Sequence, residues 1–152
     1  MTTTSDLTQI RKVYLAARYS RHDEMQGVRD VLKVLGDIET TARWIDCHTD
    51  VVGDFTSSFT VEFLNAHPDK CAPLGQHDVD DIVAADTVIS FTSADGGKGG
   101  RHVEFGMGIA LGKRSIVIGP REHVFHTLAG VDWYPDWSRF VMALTAAQAV
   151  TA

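Results

Sequence analysis

The run "GGKGGRHVEFGMGIALGK" (Gly96–Lys113) leads from glycines into a helical pattern that carries one acid, Glu104, near its start. Glycines such as Gly99 and Gly100 let a ligand approach the backbone, because no Cβ stands in the way. A carboxylate in the same place repels a phosphate, so a phosphate cradle and Glu104 do not suit one ligand group. The run also lacks G-x-x-x-x-G-K-[ST], since Gly99 follows Lys98, and no G-x-G-x-x-G opens the first strand–helix turn. A helix N-terminus is positive and favours an ionised acid. Glu104 is therefore either a first-turn capping residue or a carboxylate held anionic for work as nucleophile or base. The glycines alone are equally compatible with a flexible turn.

Other residue types extend the chemistry. "AARYSRHD" (Ala16–Asp23) is the exit of the first strand into a helix. Backbone N–H groups at such a turn bind anions, and the segment Ala17, Arg18, Tyr19, Ser20 and Arg21 adds hydroxyls and positive charge. The alternative is a pair of solvated arginines. Tyr14 lies inside that strand, where a core tyrosine with a satisfied hydroxyl is the ordinary expectation. "DVDDIVAAD" supplies Asp78, Asp80, Asp81 and Asp86. Acids on a short amphipathic helix mostly form its wet face, and Asp86 at a strand start reads as a structural cap. His102–Glu104 has the H-x-E of zinc deaminases, but those need a downstream P-C-x-x-C, and no cysteine follows Glu104. The seven histidines contain no H-x-x-x-H pair, so neither a metal nor a cofactor is expected.

These residues need a scaffold. "KVYLAA" (Lys12–Ala17) and "TVISFT" (Thr87–Thr92) read as buried strands, "IETTARWI" (Ile38–Ile45) as another, and "RSIVIG" (Arg114–Gly119) and "VDWY" as two more. Met25, Val28, Leu32 and Leu35 recur at helical spacing, with Ser20 as N-cap and Gly36 as the stop. His77–Asp86 reads as a short helix with Val79, Ile82 and Val83 inward. Val61–Ala66 and "FHTLAG" suggest short helical pieces, and "WSRFVMALTAAQAV" a closing helix. The long connection from Asp46 to Gln76 has the length of a lid or rim. Strands alternating with helices predict an α/β sandwich of three layers, with a mostly parallel sheet and ligands beyond the strands' carboxyl ends.

A chain of 152 residues with 44% hydrophobic and 22% charged residues fits a single domain. Residues 1–11 are expected to be a flexible tail and residues 12–152 the domain. A net charge of −6 argues against nucleic acid and anionic membrane as partners. No apolar run is long enough to span a bilayer, and "MTTTSDLTQIRK" has no signal-peptide core. Two cysteines, Cys47 and Cys71, form no disulfide framework, and a reduced cytoplasmic setting is expected.

Taken together, "VYLAARYSR", "DVDDIVAADTVISF" and "GGRHVEFGMGIALGKRSIVIG" resemble the nucleoside 2-deoxyribosyltransferase family, whose relatives include nucleoside 5′-monophosphate N-glycosidases. The shared pattern is a tyrosine in the first strand, an aspartate eight residues before an "AD" strand start, and a glycine-bracketed glutamate. Here these are Tyr14, Asp78 with Asp86, and Glu104 with Gly106. The resemblance implies a flavodoxin-like fold and cleavage of the N-glycosidic bond of a nucleoside or nucleotide. Glu104 would attack C1′, Tyr14 would orient it, and Asp78 would manage the proton on the departing base. A second base, or water, would then release the sugar with retention. Transfer by a deoxyribosyltransferase is the first expectation and hydrolysis of a monophosphate the alternative. A non-catalytic nucleotide sensor on the same fold is a third. The resemblance further implies that Arg101, His102 and His126 approach a phosphate, that Trp44 and Asp46 lie near the base, and that the chain forms at least a homodimer.

Overall fold

The computed structural model describes residues 6–46, 59–93 and 99–150. Five strands form one sheet: β1 (Lys12–Ala16), β2 (Glu39–Thr40), β3 (Thr87–Phe91), β4 (Arg114–Ile118) and β5 (Val131–Tyr134). Their order is β2-β1-β3-β4-β5 and every pairing is parallel. This is the flavodoxin-like order, whose ligand crevice lies at the switch point between β1 and β3. The three central strands are buried on both faces, which is why they read as continuous apolar runs.

The helices are α1 (His22–Gly36), α2 (Val61–Ala66), α3 (Pro68–Ala84), α4 (Gly100–Ala110) and α5 (Trp137–Ala149). α1 and α5 pack against one another, while α3 and α4 pack together over β1, with α4 also lying on β3 and β4. The second pair covers the switch point. α4 comes close to the sheet at Gly108, where an added Cβ would stand 2.7 Å from Val88 Cγ2. Register places Val88 beside Tyr14, so the strand residue under Gly108 is the neighbour of the tyrosine. Asp86 has the structural part expected of it. Its carboxylate accepts from the Arg11 and Lys12 N–H groups at 2.9 and 2.7 Å and stitches the starts of β1 and β3 together.

Several expectations are corrected. The helix expected over His77–Asp86 is the second half of α3, which begins at Pro68 and passes through Pro73. Pro73 and Gly75 read as breakers, yet Pro73 gives up only one hydrogen bond, to the first turn. The inward face also differs. Ile82 is buried, but Val79 and Val83 are 36% and 54% exposed. Leu74, Asp81 and Ile82 point in instead, and Asp78 falls on the same stripe, four residues from Leu74 and from Ile82. The second strand is two residues long, because Arg43–Asp46 turns into a 3-10 helix. Ser20 caps nothing, since it lies within a 3-10 turn that precedes α1, and α1 ends at Asp37 in the left-handed region (φ 51°) rather than at a glycine beyond the helix.

The tail expected over residues 1–11 is folded at its end, where Leu7 and Ile10 are 4% and 2% exposed and belong to the core. Residues 1–5 lie outside the described residues, as do residues 47–58 of the proposed rim, Cys47 among them, and the glycines Gly96 and Gly97 with Lys98. No helix among the described residues is long and apolar enough to cross a membrane.

Candidate active site

Two helices place an acid where an apolar residue is expected. On α4 the inward stripe is Arg101, Glu104, Phe105 and Gly108, spaced by three and four; Arg101, Phe105 and Gly108 are buried and Glu104 is half-buried. On α3 Asp78 sits between Leu74 and Ile82. Both acids meet Tyr14, which β1 holds at 0% exposure. The Tyr14 hydroxyl donates to Glu104 Oε1 at 3.0 Å, and it also stabilises the Asp78 carboxylate. Thus the tyrosine's hydroxyl is satisfied, as a core tyrosine requires, but by an acid 90 residues further along the chain.

The electrostatics follow from burial. Desolvation pushes Glu104 up to about 8, the Asp78 charge adds to the rise, and the Tyr14 hydrogen bond offsets part of it. Desolvation likewise lifts Asp78 to about 6 against the Tyr14 bond. Tyr14 itself is raised far above the ordinary phenol range, by burial first and then by the two carboxylates, and stays protonated. Glu104 Oε2 and Asp78 Oδ1 are buried without a hydrogen-bond partner among the described residues. One hydroxyl proton cannot serve two carboxylates at once. The pair therefore favours holding one proton between them near neutral pH, as close carboxylates do. This corrects the expectation that the helix terminus keeps Glu104 charged. Glu104 is the fifth residue of α4, past the first turn, where the helix field has faded and burial dominates.

The remaining candidates divide by position. Ala17, Arg18 and Tyr19 continue β1 at its carboxyl end and are half-buried. The Trp44 indole donates to Leu15 O at 2.9 Å and its ring lies 6.2 Å from that of Tyr19, so Trp44 walls the same end of the sheet. Ser20 is exposed. Arg21 reaches toward the β3 terminus, with Nη1 3.4 Å from Phe91 O, but its fork is occupied by Glu24 at 2.6 and 2.7 Å. Asp46 is ion-paired with Arg29 of α1 at 2.8 Å on the surface. Gly99, with φ 88°, is the N-cap of α4, and Gly100 opens the helix. A side chain at Gly99 would strain that turn.

Arg101 does not face solvent as a free phosphate ligand. It is 4% exposed and donates through Nη2 to both oxygens of Glu122 at 2.6 and 2.7 Å. His102 and His126 gather with His123 in one cluster beside that pair. Chain spacing concealed the cluster: His123 and His126 share a 3-10 turn region after β4, while His102 comes from α4. The i,i+3 spacing of "HVFH" was its only sequence signal.

Fold and site together define a flavodoxin-like α/β protein with a tyrosine-bridged pair of acids at its switch point. No protein-family profile and no curated protein matches the chain. Among solved structures it is similar to the CMP N-glycosidase BcmB of Clostridium botulinum, with 22% identity and a TM-score of 0.54 over 90% of this chain and 99% of that one. Likeness at this identity is a likeness of fold.

Proposed function

We propose that the protein cleaves the N-glycosidic bond of a nucleoside or nucleotide by double displacement through Glu104. The observation that carries this reading is the 3.0 Å bond from a fully buried tyrosine to a glutamate that shares its surroundings with a second acid. Placing two carboxylates on the inward stripes of two helices costs stability, and catalytic sites are where such a cost recurs.

Tyr14 fixes Oε1, which leaves Oε2 to attack C1′. As the C1′–N bond breaks, its electron pair goes to the base and Asp78 protonates the base nitrogen. The resting proton has to be on Asp78 at that moment. With the proton on Glu104 Oε1 the Tyr14 hydroxyl turns to Asp78; it then accepts from Oε1 as it gives its own proton to Asp78, which restores its bond to Oε1. The anionic glutamate left behind stabilises the oxocarbenium-like transition state. In the second half, water or a free base attacks C1′, gives its proton to Asp78 and releases Glu104, so configuration is retained.

The acceptor decides between two outcomes. The sequence resemblance supports deoxyribosyl transfer to a second base. The similarity to a CMP N-glycosidase, with Arg18 at the β1 exit, supports hydrolysis of a 5′-monophosphate. Deoxynucleosides and their 5′-monophosphates, incubated with and without a free base, separate them by chromatography of the released base. Release that requires an acceptor marks a transferase, and release without one a hydrolase. No release from any substrate would overturn the catalytic reading in favour of a nucleotide-binding module.

A further inference from the structure

We propose that His102, His123 and His126 form a binding site for a divalent transition metal of the zinc class. One ring nitrogen from each of the three lies within 4.8 Å of the others. His102 Nδ1 and His123 Nε2 face each other at 3.0 Å. A tetrahedral zinc with Zn–N bonds of ~2.0–2.1 Å holds its nitrogens about 3.4 Å apart, so this pair needs only a small adjustment. His126 is 1% exposed, and its Nε2 is buried with no hydrogen-bond partner among the described residues. An imidazole with an unanswered nitrogen inside a histidine cluster is a poor way to finish a core and a good way to receive a cation.

The surroundings fit a metal better than an anion. His102 Nε2 lies 3.4 Å from Glu122 Oε2, the carboxylate–histidine arrangement that orients a metal ligand and raises its basicity. Arg101 in turn fixes that carboxylate at 2.6 and 2.7 Å. An anion would meet Glu122, whereas a cation gains from it. Burial holds both His102 and His126 below the ordinary histidine range, and neutral imidazole is the ligating form.

The proton balance closes. Three neutral rings carry three protons before and after binding. His102 keeps its proton on Nε2, toward Glu122, and binds through Nδ1. At rest His123 Nε2 carries its ring's proton and donates to His102 Nδ1 at 3.0 Å; binding through Nε2 moves that proton to Nδ1. The Glu122 N–H donates to His126 Nδ1 at 3.1 Å, so Nε2 of that ring bears the proton. Binding through Nε2 moves this proton to Nδ1 and exchanges the Glu122 hydrogen bond for a metal–nitrogen bond. Three imidazoles suit zinc, copper, nickel or iron and leave a fourth position for water. The metal would join α4, two residues from Glu104, to the segment after β4. This site is independent of the glycosidase reading.

The test uses the full chain stripped with a chelator, then titrated calorimetrically with Zn²⁺ and followed by absorption with Co²⁺. The expected result is one equivalent bound, a Co²⁺ spectrum of low coordination number, and a rise in Tm on Zn²⁺ addition. His126→Gln should weaken binding at least 100-fold. Should that variant not fold, His102→Asn, at a half-exposed position, carries the same expectation. Absence of stoichiometric binding, or His102→Asn binding as tightly as the parent, would overturn the proposal.

Discussion

Tyr14→Phe removes one oxygen atom and no packing volume. It leaves Glu104 Oε1 without its 3.0 Å donor. A hydrogen bond to a charged acceptor contributes ~1.5–3 kcal/mol, and each pH unit corresponds to about 1.4 kcal/mol. The Glu104 carboxyl, already near 8 because of burial, should therefore rise by about one to two pH units. At pH 7 roughly one molecule in ten of the parent carries Glu104 as the anion. In the variant this falls to between about one in a hundred and one in a thousand. The rate of base release at saturating substrate should drop ~10–100-fold at pH 7, and the descending limb of its pH profile, where the pair loses its last proton, should move upward by the same interval. The assay is base release by chromatography from pH 5 to 10, in chelator so that no cation sits beside His102, with Tm as the control for folding. A uniform loss with the limb unmoved would refute control of the Glu104 charge by Tyr14. Unaltered rates would remove Tyr14 from the site.

Glu104→Gln should abolish base release and flatten the dependence of stability on pH. A carboxyl raised from 4.5 to about 8 by burial stabilises the fold below the unfolded value, and that contribution is lost, at ~1.4 kcal/mol per pH unit, as pH climbs through the folded one. Tm of the parent should thus fall between about pH 4.5 and 8 more steeply than Tm of the variant, and parallel curves would contradict the burial argument. Asp78→Asn removes the acid whose proton the reaction needs, so base release should slow by ~10²-fold or more and the descending limb of the pH profile should disappear. A substrate whose base is already cationic leaves without protonation and should lose far less; equal losses on both would exclude Asp78 as the acid. Gly108→Ala drives a methyl toward Val88, 2.7 Å away. It should lower the urea midpoint by an amount equivalent to about 1–3 kcal/mol, and a neutral effect would show that α4 can lift off β3 freely.

How far the sequence speaks depends on which force decides each element. β1, β3 and β4 are buried on both faces, so composition alone reveals them, and the parallel order follows from alternation with helices. The α1 stripe is equally plain, since Met25, Val28 and Leu32 are all buried. α3 is different. Its most apolar-looking face carries Val79 and Val83, but tertiary contact turns Asp78 and Asp81 inward, and the buried Asp81 is met by Arg43 Nε and N–H at 2.8 and 2.9 Å. No local pattern shows a partner 38 residues away. Resemblance and order along the chain point to Tyr14, Asp78 and Glu104. Their convergence needs the register of β1 with β3 and the close seat of α4. The charge state of Glu104 is hidden from the sequence for a related reason: helix position is local, whereas desolvation comes from neighbours distant in sequence.

The brevity of β2 has its own consequence. After Thr40 the outer side of β1 is finished without a strand, by the Thr41 N–H to Val13 O at 2.9 Å and then by the Trp44 indole to Leu15 O. A side chain thus stands where another strand would continue the ladder. An unpaired edge is a template on which a second chain can add a strand and begin to aggregate. Here the most apolar strand of the sheet offers no such template along its exit half. A second copy of this chain therefore finds the Leu15 carbonyl already taken, and Trp44 is the residue that takes it.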